Sequence, residues 1–382
     1  MDMMDAIGPQ RGDRVLVAMS GGVDSSVAAA LLVEAGCDVV GVTMKLHNDG
    51  SDVVDRPCCS LDSTSDARRV CETLGIPHYV TNLVDRFGQD VLDDFVREYA
   101  RGRTPIPCVR CNTFTKFRDL LLKADAIDAH WLATGHYARM GMRDGVRVMR
   151  RGLDPAKDQS YFLWGIERPV LDRLVLPIGG QTKAETRAIA RRFGLRTAEK
   201  LESQDICFVP DGDHVRVLRE QLGADAPSLS PGPIRLHTGD VIGTHEGFAR
   251  YTIGQRKGLP GGFAEPMFVV EIIPAERAVV IGPREALLGR GVEAHELNWL
   301  ATPPALGDRV QVQVRNRATA ADATVVRLDD DVVEFALEEA VRAISPGQSL
   351  VVYDGEVVLG GGVIERGMRE GAGKRAGLPV LG

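Results

Sequence analysis

The feature that most constrains the fold is a strand–turn–helix pattern near the start of the chain. A β-branched run covers Arg14–Met19, the turn reads Ser20-Gly-Gly-Val-Asp-Ser-Ser26, and an Ala/Leu-rich run covers Val27–Val33. The first run predicts a buried strand and the last a helix. Two adjacent glycines let backbone N–H groups point into one concavity at a helix N-terminus, where an anion is favoured. The segment therefore predicts a phosphate-binding turn in an α/β domain.

The turn differs both from an ordinary loop and from the Walker motif. No Gly-Lys-Ser/Thr follows it, but Ser20, Asp24, Ser25 and Ser26 add hydroxyls and a carboxylate suited to Mg²⁺. Ser20–Ser26 resembles the PP-loop of ATP pyrophosphatases, which cleave ATP between the α and β phosphates to adenylate a substrate oxygen. The resemblance implies ATP and Mg²⁺ as ligands and leaves the substrate open.

Composition predicts a globular, cytoplasmic protein of two or three domains. The chain has 382 residues, 44% hydrophobic and 26% charged. No apolar run approaches the roughly 20 residues that a membrane helix needs. The N-terminal residues contain acidic side chains and no apolar core, so we expect no signal peptide and no membrane partner. The seven cysteines should accordingly be mostly reduced thiols.

Charge is distributed unevenly. The formal net charge is −7, yet residues 97–157 contain thirteen Lys/Arg against six Asp/Glu, and the rest of the chain carries −14. A basic stretch on an acidic protein predicts a footprint for nucleic-acid phosphates. We expect about half of these basic residues to lie instead on solvated helix faces.

The order of predicted elements indicates three domains and a terminal tail. Strand and helix patterns alternate up to about residue 210, which predicts a Rossmann-like PP-loop domain with a parallel sheet and helices on both faces. Ligands in such sheets lie beyond the carboxyl ends of the strands. A Gly/Pro/Val-rich region then predicts a small β-rich central domain, and strict alternation predicts a C-terminal β-barrel, with a hairpin at Asp354-Gly355. The predicted boundaries are 1–211, 212–288 and 289–366, followed by a disordered tail at 367–382.

Three cysteines are candidates for chemistry. Cys108 and Cys111 form a C-x-x-C pair on a segment interpreted as a proline-rich loop, and the neighbouring Arg103, Arg110 and Lys116 should favour the thiolate. Cys207 stands alone among apolar residues, which by itself is more typical of a buried cysteine without a catalytic role.

A longer set of motifs resembles the bacterial tRNA-specific 2-thiouridylase family, over the chain to about residue 366. The matching segments are Ser20–Ser26, Val42-Thr-Met-Lys45, Cys58-Cys-Ser60, Cys111-Asn112, Lys116-Phe117, Thr134-Gly-His-Tyr-Ala138, Lys157-Asp-Gln-Ser-Tyr-Phe162, Ser203-Gln-Asp-Ile-Cys-Phe208, Tyr251-Thr-Ile-Gly-Gln-Arg256 and Ser345-Pro-Gly-Gln-Ser349. The family joins a PP-loop domain to a small β domain and a β-barrel, in agreement with the interpretation above.

The resemblance implies a substrate and a route for sulfur. The substrate would be the wobble uridine of tRNAs for Lys, Glu and Gln, whose C2 oxygen is adenylated by ATP. Sulfur would arrive from a donor protein and be carried as a persulfide on Cys207. Cys111 would be the nucleophile, and a Cys111–Cys207 disulfide would follow turnover and require external thiols.

The resemblance also implies binding residues. The ATP contacts implied are Ala18, Met19, Ser20, Gly21, Gly22, Val23, Asp24, Ser25, Met44 and Gly135. The tRNA contacts implied are Ile106, Pro107, Cys108, His136, Lys157, Asp158, Gln159, Arg315, Asn316 and Gln348. Arg315-Asn316 departs from the family pattern, because many relatives have an aromatic residue after the arginine.

A second departure leaves alternatives open. Many relatives have an Asp where this chain has Cys108, so the acid/base role of that carboxylate is unassigned. Cys108, Cys111 and Cys207 could instead hold an iron–sulfur cluster, as in a related class of tRNA thiolases. Another PP-loop adenylating synthetase would need neither Cys111 nor Cys207, and a non-enzymatic RNA-binding module would not need the phosphate turn.

Overall fold

A five-stranded parallel sheet organises the N-terminal part of the computed structural model, which describes residues 8–46, 61–201 and 206–369. Its order is β3-β2-β1-β4-β7. The strands of the described chain are β1 Arg14–Ala18, β2 Asp38–Lys45, β3 His78–Asn82, β4 Trp131–Ala133, β5 Ala138–Arg143, β6 Val146–Arg151, β7 Leu174–Val175, β8 Gly232–Leu236, β9 Val241–His245, β10 Phe268–Ile273, β11 Ala278–Gly282, β12 Leu288–Trp299, β13 Arg309–Gln313, β14 Ala321–Leu328, β15 Val332–Arg342, β16 Ser349–Asp354 and β17 Val357–Met368. The predicted parallel sheet is confirmed.

Helices connect these strands, as expected for parallel neighbours. The α-helices are α1 Val23–Glu34, α2 Leu61–Leu74, α3 Val84–Phe87, α4 Asp93–Ala100, α5 Pro107–Arg110, α6 Phe117–Ala126, α7 Arg168–Arg173, α8 Lys183–Arg192 and α9 His214–Leu222. None of the helices in these ranges has the length and apolar character required to cross a bilayer.

The C-x-x-C segment is helical, which corrects the interpretation of it as a loop. α5 begins at Pro107, and a π-helical segment, Cys111–Lys116, continues it into α6. Proline suits this first position because its fixed φ fits a helix and the N–H it lacks would have no intrahelical partner there. The proline content therefore marked the start of a helix, and both cysteines lie within its first turns.

The C-terminal strands close into a six-stranded antiparallel barrel in the order β12-β15-β14-β13-β16-β17, with β12 also paired to β17. The predicted barrel and the β16–β17 hairpin, whose turn is Gly355-Glu356, are confirmed. The sequence analysis missed the hairpin β5–β6. It lies inside the predicted first domain but joins the barrel sheet through a β6–β17 pairing.

A second small sheet is built from strands that lie, in sequence, between those of the parallel sheet and those of the barrel. Its order is β10-β11-β8-β9, and α9 precedes it. The β-rich character predicted for this region is confirmed, whereas α9 was not predicted. The apolar core of this sheet is built around Ile234, Phe248, Val269, Val279 and Ile281.

The largest apolar core crosses from the parallel sheet to the barrel. It includes Leu16 and Val42 of the parallel sheet together with Val351 and Tyr353 of the barrel. Trp164 lies in the same core, and its Nε1 donates to Ser349 Oγ at 2.9 Å. Because these residues share one buried cluster, the parallel sheet and the barrel are held by common packing.

Candidate active site

The turn between β1 and α1 forms a loop pinned by its own serines. The Ser20 backbone N–H donates to Ser25 Oγ at 3.1 Å, and the hydroxyls of Ser25 and Ser26 donate to the Gly22 carbonyl at 3.2 and 2.8 Å. Gly22 caps α1 with no side-chain acceptor, so the amides of the first turn have no competing cap. This arrangement suits an anion such as a phosphate.

Gly21 is required by conformation and by space. Its φ is +70°, and a Cβ atom there would lie 2.1 Å from the carbonyl oxygen of Ser63 in α2. Any larger residue would push α2 away from the loop. The sequence pattern identified the glycine pair, but only the fold shows that α2 lies against it.

Asp24 is held by groups from distant parts of the chain. Lys183 Nζ lies 2.7 and 2.9 Å from its two carboxylate oxygens, and the Tyr137 hydroxyl donates to Oδ1 at 3.0 Å. Lys183 begins α8 and was not identified from sequence, because nothing local connects it with a loop about 160 residues earlier. Asp24 therefore carries a lysine partner at the site where Mg²⁺ was expected.

The end of β4 approaches the same loop. A Cβ atom on Gly135 would fall 2.5 Å from the Ser25 backbone nitrogen, so glycine is needed for this contact. The next residue, His136, has Nδ1 2.8 Å from Thr134 Oγ1. Loss of hydration, with a smaller effect of Lys116, lowers the pKa of His136 to about 3, so its imidazole is neutral at physiological pH.

The two candidate sulfur-carrying cysteines contact one apolar cluster. Cys111 is buried in a group built from α3, α4 and α9, and Cys207 packs against the same group. Phe208 anchors the segment after Cys207, with its ring 5.0 Å from that of Phe95 in an edge-on contact. Both cysteines are free thiols, and Cys108 is exposed on α5.

Met44 connects this cluster with the parallel sheet. It lies near the carboxyl end of β2, where it packs against both the shared core and the cysteine cluster. The predicted adenine contact and the predicted sulfur chemistry therefore meet at the end of the sheet that the strand order indicated.

The arginines beside the cysteines are paired with carboxylates. Arg103 contacts Glu98 at 2.7 Å and Glu365 at 2.5 Å, and Arg110 contacts Asp94 at 3.2 Å and Glu296 at 2.5 Å. The expectation that these two charges act chiefly on a thiolate must be corrected, since each is neutralised by two carboxylates. Among the described residues, seven arginines of the basic stretch contact at least one carboxylate: Arg97, Arg101, Arg103, Arg110, Arg139, Arg143 and Arg151.

Several residues predicted to contact tRNA make hydrogen bonds within the protein in this structure. Asp158 accepts from the backbone N–H groups of Gly152 and Ser160 at 2.9 and 3.0 Å. Gln159 Oε1 accepts from the Tyr137 N–H at 2.9 Å. Gln348 Nε2 donates to the Thr104 carbonyl at 3.0 Å. These contacts give each side chain a structural role, and the predicted tRNA contacts stay predictions.

A cavity of about 290 Å³ lies between the barrel and the cysteine helix, the name used here for α5 and the π-helical segment Cys111–Lys116. Ile106, Arg110 and Phe114 line one side of it, and Glu296 and Gly347 line the other. Ile106 precedes α5, and Pro107 is buried at its first position. Of the remaining predicted tRNA contacts, Lys157 is partly buried near Asp158, Arg315 is exposed after β13, and Asn316 follows it.

Some predictions concern residues outside the described ranges. These are Cys58, Cys59 and Ser60, the motif residues Ser203, Gln204 and Asp205, and most of the tail predicted at 367–382. Within the described ranges, no three His, Cys, Asp or Glu side chains converge in a group that could hold a metal ion. Cys108, Cys111 and Cys207 do not form such a group in this structure.

Comparisons with known proteins agree across the chain. Three family models match: the tRNA methyl transferase HUP domain at residues 13–211, the tRNA methyl transferase PRC-barrel domain at 222–283 and the aminomethyltransferase β-barrel domain at 289–364. A solved 4-thiouridine synthetase–RNA complex with bound ATP aligns at 18% identity over 56% of this chain and 51% of that one, with a TM-score of 0.34, too low to inform fold or function.

Curated relatives are similar over nearly their whole length. The tRNA-specific 2-thiouridylase MnmA of Geotalea uraniireducens is 47% identical, covering 92% of this chain and 95% of its own. The proteins of the same name from Carboxydothermus hydrogenoformans and Rhodospirillum centenum are 45% and 46% identical, covering 95% and 96% of this chain and 100% and 95% of their own. The chain therefore belongs to the tRNA-specific 2-thiouridylase MnmA family.

Proposed function

We propose that this enzyme uses ATP to replace the C2 oxygen of the wobble uridine with sulfur in tRNAs for Lys, Glu and Gln. The observation that carries the proposal is the position of Met44, which packs against the cluster holding Cys111 and Cys207 at the end of the sheet that bears the phosphate loop. Nucleotide activation and sulfur transfer can then share one reaction centre. Relatives named 2-thiouridylases support the choice of substrate.

Adenylation solves the problem of the leaving group. The uridine carbonyl at C2 is a weak electrophile and oxide is a poor leaving group. The O2 atom attacks the α-phosphorus of ATP, the bond to the β-phosphate oxygen breaks, and pyrophosphate leaves with the electron pair. Backbone amides of the first turn of α1, which has no side-chain cap, would donate to the phosphates and stabilise the charge that develops.

Sulfur transfer follows at the cysteine cluster. The outer sulfur of a Cys207 persulfide bonds to C2, and AMP leaves with the former O2 atom. The Cys111 thiolate then attacks the inner sulfur, and the electrons of the S–S bond pass to the sulfur on C2. The products are 2-thiouridine and a Cys111–Cys207 disulfide, which an external thiol must reduce by two electrons.

Other components enter this scheme as reactants. A sulfur-donor protein, such as a cysteine desulfurase or a sulfur carrier, would load Cys207. Mg²⁺ would arrive with the phosphates of ATP. No step is assigned to a protein-bound ion, because Asp24 is paired with Lys183. Cys108, exposed on α5 where many relatives have an Asp, has no assigned acid/base role.

The test is Cys207→Ser, with tRNA analysed by mass spectrometry after incubation with ATP and a persulfide source. We expect 2-thiolation to fall to background while ATP binding stays within about twofold, since no direct contact of Cys207 with nucleotide is assigned. Cys111→Ser should give the same result, and Cys37→Ser, at a partly exposed thiol distant in sequence, is the control.

Three results would contradict the proposal. Thiolation that survives in Cys207→Ser would remove the persulfide step. Iron and sulfide in stoichiometric amounts after anaerobic purification, with activity that depends on them, would replace it by the iron–sulfur alternative. Formation of AMP without any thiolated tRNA would favour another adenylating synthetase.

A further inference from the structure

A lysine that no sequence motif identifies contacts the phosphate loop directly. Lys200 Nζ donates to the Gly21 carbonyl at 3.1 Å and to Asp66 Oδ2 at 2.6 Å. Gly21 is the first of the two glycines of the loop, and Asp66 lies on α2, the helix that packs against it. Tertiary folding thus brings a positive charge, 179 residues distant in sequence, to the loop where a triphosphate would bind.

A positive charge beside the loop would stabilise the phosphates of ATP and the pyrophosphate that leaves. The loop carries no lysine of its own, unlike the Walker motif, whose lysine reaches the β and γ phosphates. The reaction under "Proposed function", on which this inference rests, releases pyrophosphate with additional negative charge. Neutral backbone amides compensate that charge only in part, whereas an ammonium supplies a full opposite charge.

Of the two lysines beside the loop, Lys200 is the better candidate for direct phosphate contact. Lys183 contacts both oxygens of Asp24 and its side chain is only 13% exposed. Lys200 is 32% exposed, and its carboxylate partner Asp66 is 28% exposed. Both members of this pair are only partly buried, and a phosphate that replaces Asp66 keeps a negative charge beside the ammonium. Lys183, by contrast, positions Asp24.

We propose that Lys200 binds the terminal phosphates of ATP and stabilises the departing pyrophosphate. As the bond between the α-phosphorus and the β-phosphate oxygen breaks, the electron pair moves to that oxygen. The Lys200 ammonium leaves Asp66 and neutralises the growing charge without transferring its proton. Lys200 is therefore a catalytic residue, and Asp66 holds it in place when no phosphate is bound.

The test measures ligand affinity separately from thiolation. Calorimetry on the full chain uses ATP, inorganic pyrophosphate and AMP as probes, with magnesium present. We expect Lys200→Gln to weaken ATP and pyrophosphate binding about tenfold or more, the range for losing one charge-assisted hydrogen bond, and to leave AMP within about twofold. Lys257→Gln, at an exposed lysine before β10, is the matched control and should change none of the three affinities.

Two further variants separate phosphate binding from a structural role. Lys200→Arg keeps the charge and should recover most of the affinity for pyrophosphate. Asp66→Asn removes the competing carboxylate and should leave pyrophosphate affinity equal or higher. If Lys200 only joined Gly21 to α2, Asp66→Asn would weaken binding as Lys200→Gln does, and the inference would be overturned.

The outcome is independent of the thiolation proposal. Unchanged ATP and pyrophosphate affinities in folded Lys200→Gln would refute the phosphate contact even if tRNA is thiolated normally. An equal loss for ATP and AMP would also refute it, since AMP lacks the leaving phosphates. Conversely, the selective loss of pyrophosphate affinity would support the contact even if tRNA proved not to be the substrate.

Discussion

At the scale of single residues, close contacts restrict which side chains the phosphate loop can accept. Gly21 and Gly135 are each required by a close backbone approach, and Asp24 is neutralised by Lys183. The motif around Ser20–Ser26 predicts the loop itself. The residues that contact the loop come from distant segments, and no local pattern identifies a lysine that will contact it.

His136 gives a prediction at this scale. Desolvation lowers the pKa of His136 to about 3, well below the ordinary value of 6.5. We expect its ring resonances in NMR to stay at the neutral position from pH 8 to pH 5, with His136→Gln identifying the signal. A titration midpoint near 6.5 would contradict the buried neutral imidazole.

The same lowered pKa makes the free energy of unfolding depend on pH. Below pH 6.5 the unfolded chain gains a proton at His136 that the folded chain does not bind until about pH 3. The free energy of unfolding therefore falls as the pH drops through this window and is unaffected above it. His136→Gln should make acid unfolding less steep between these values.

At the scale of elements, the segment between α4 and α5 is fixed to the barrel by charge as well as by packing. Burial alone would raise the pKa of Glu365, but the hydrogen bond and charge of Arg103 outweigh it and lower that pKa. Arg103 also contacts Glu98, and both side chains are at least 85% buried. These pairs explain why a stretch that is basic in sequence is largely neutralised in space.

Arg103 therefore gives a prediction for this contact. Arg103→Met leaves the buried Glu98 with only the longer 3.7 Å contact of the exposed Arg101 and should lower the free energy of unfolding by about 3 kcal/mol. Glu365→Gln, at a carboxylate that is 46% exposed, should cost about 1 kcal/mol or less. Arg309→Gln, at a 79% exposed arginine paired with Glu338, is the control. Denaturant titration measures all three, and equal losses for Arg103→Met and Arg309→Gln would contradict the argument.

This pairing also has a pH dependence. Because the pKa of Glu365 is lowered by folding, its contribution is fully present above the ordinary value of 4.5 and is lost as the pH falls through the lower folded value. The contact between the segment before α5 and the barrel should therefore be weaker in acid than at neutral pH.

At the scale of the whole molecule, the catalytic sheet and the barrel share a core. Leu16 and Val351 belong to one buried cluster, and the hairpin β5–β6 extends the barrel sheet from within the N-terminal region. The order of predicted strands and helices could not show this, because the periodicity of one strand does not reveal its partner. The predicted domain boundaries follow the order of elements along the chain, whereas one buried core extends across the first and third predicted domains.

Trp164→Leu tests this shared core. The substitution removes buried volume and the hydrogen bond to Ser349, and should cost about 2–4 kcal/mol. In hydrogen exchange measured by mass spectrometry, peptides covering β1 and β16 should lose protection by the same factor. Phe248→Leu, in the core of the central sheet, is the control and should act mainly on β11. A response limited to β16 would show that the two units unfold independently.

The sequence by itself determined the phosphate loop, the parallel sheet, the barrel and the family. Each of these can be predicted from local patterns: glycines beside hydroxyls, hydrophobic periodicity and motif spacing. Only the tertiary structure decided that Cys108 and Cys111 lie on a helix, that Arg103 and Arg110 are neutralised, and that Lys183 and Lys200 reach the loop. The physical reason is that charge and burial act through space, so a side chain's partners depend on contacts between segments far apart in the chain.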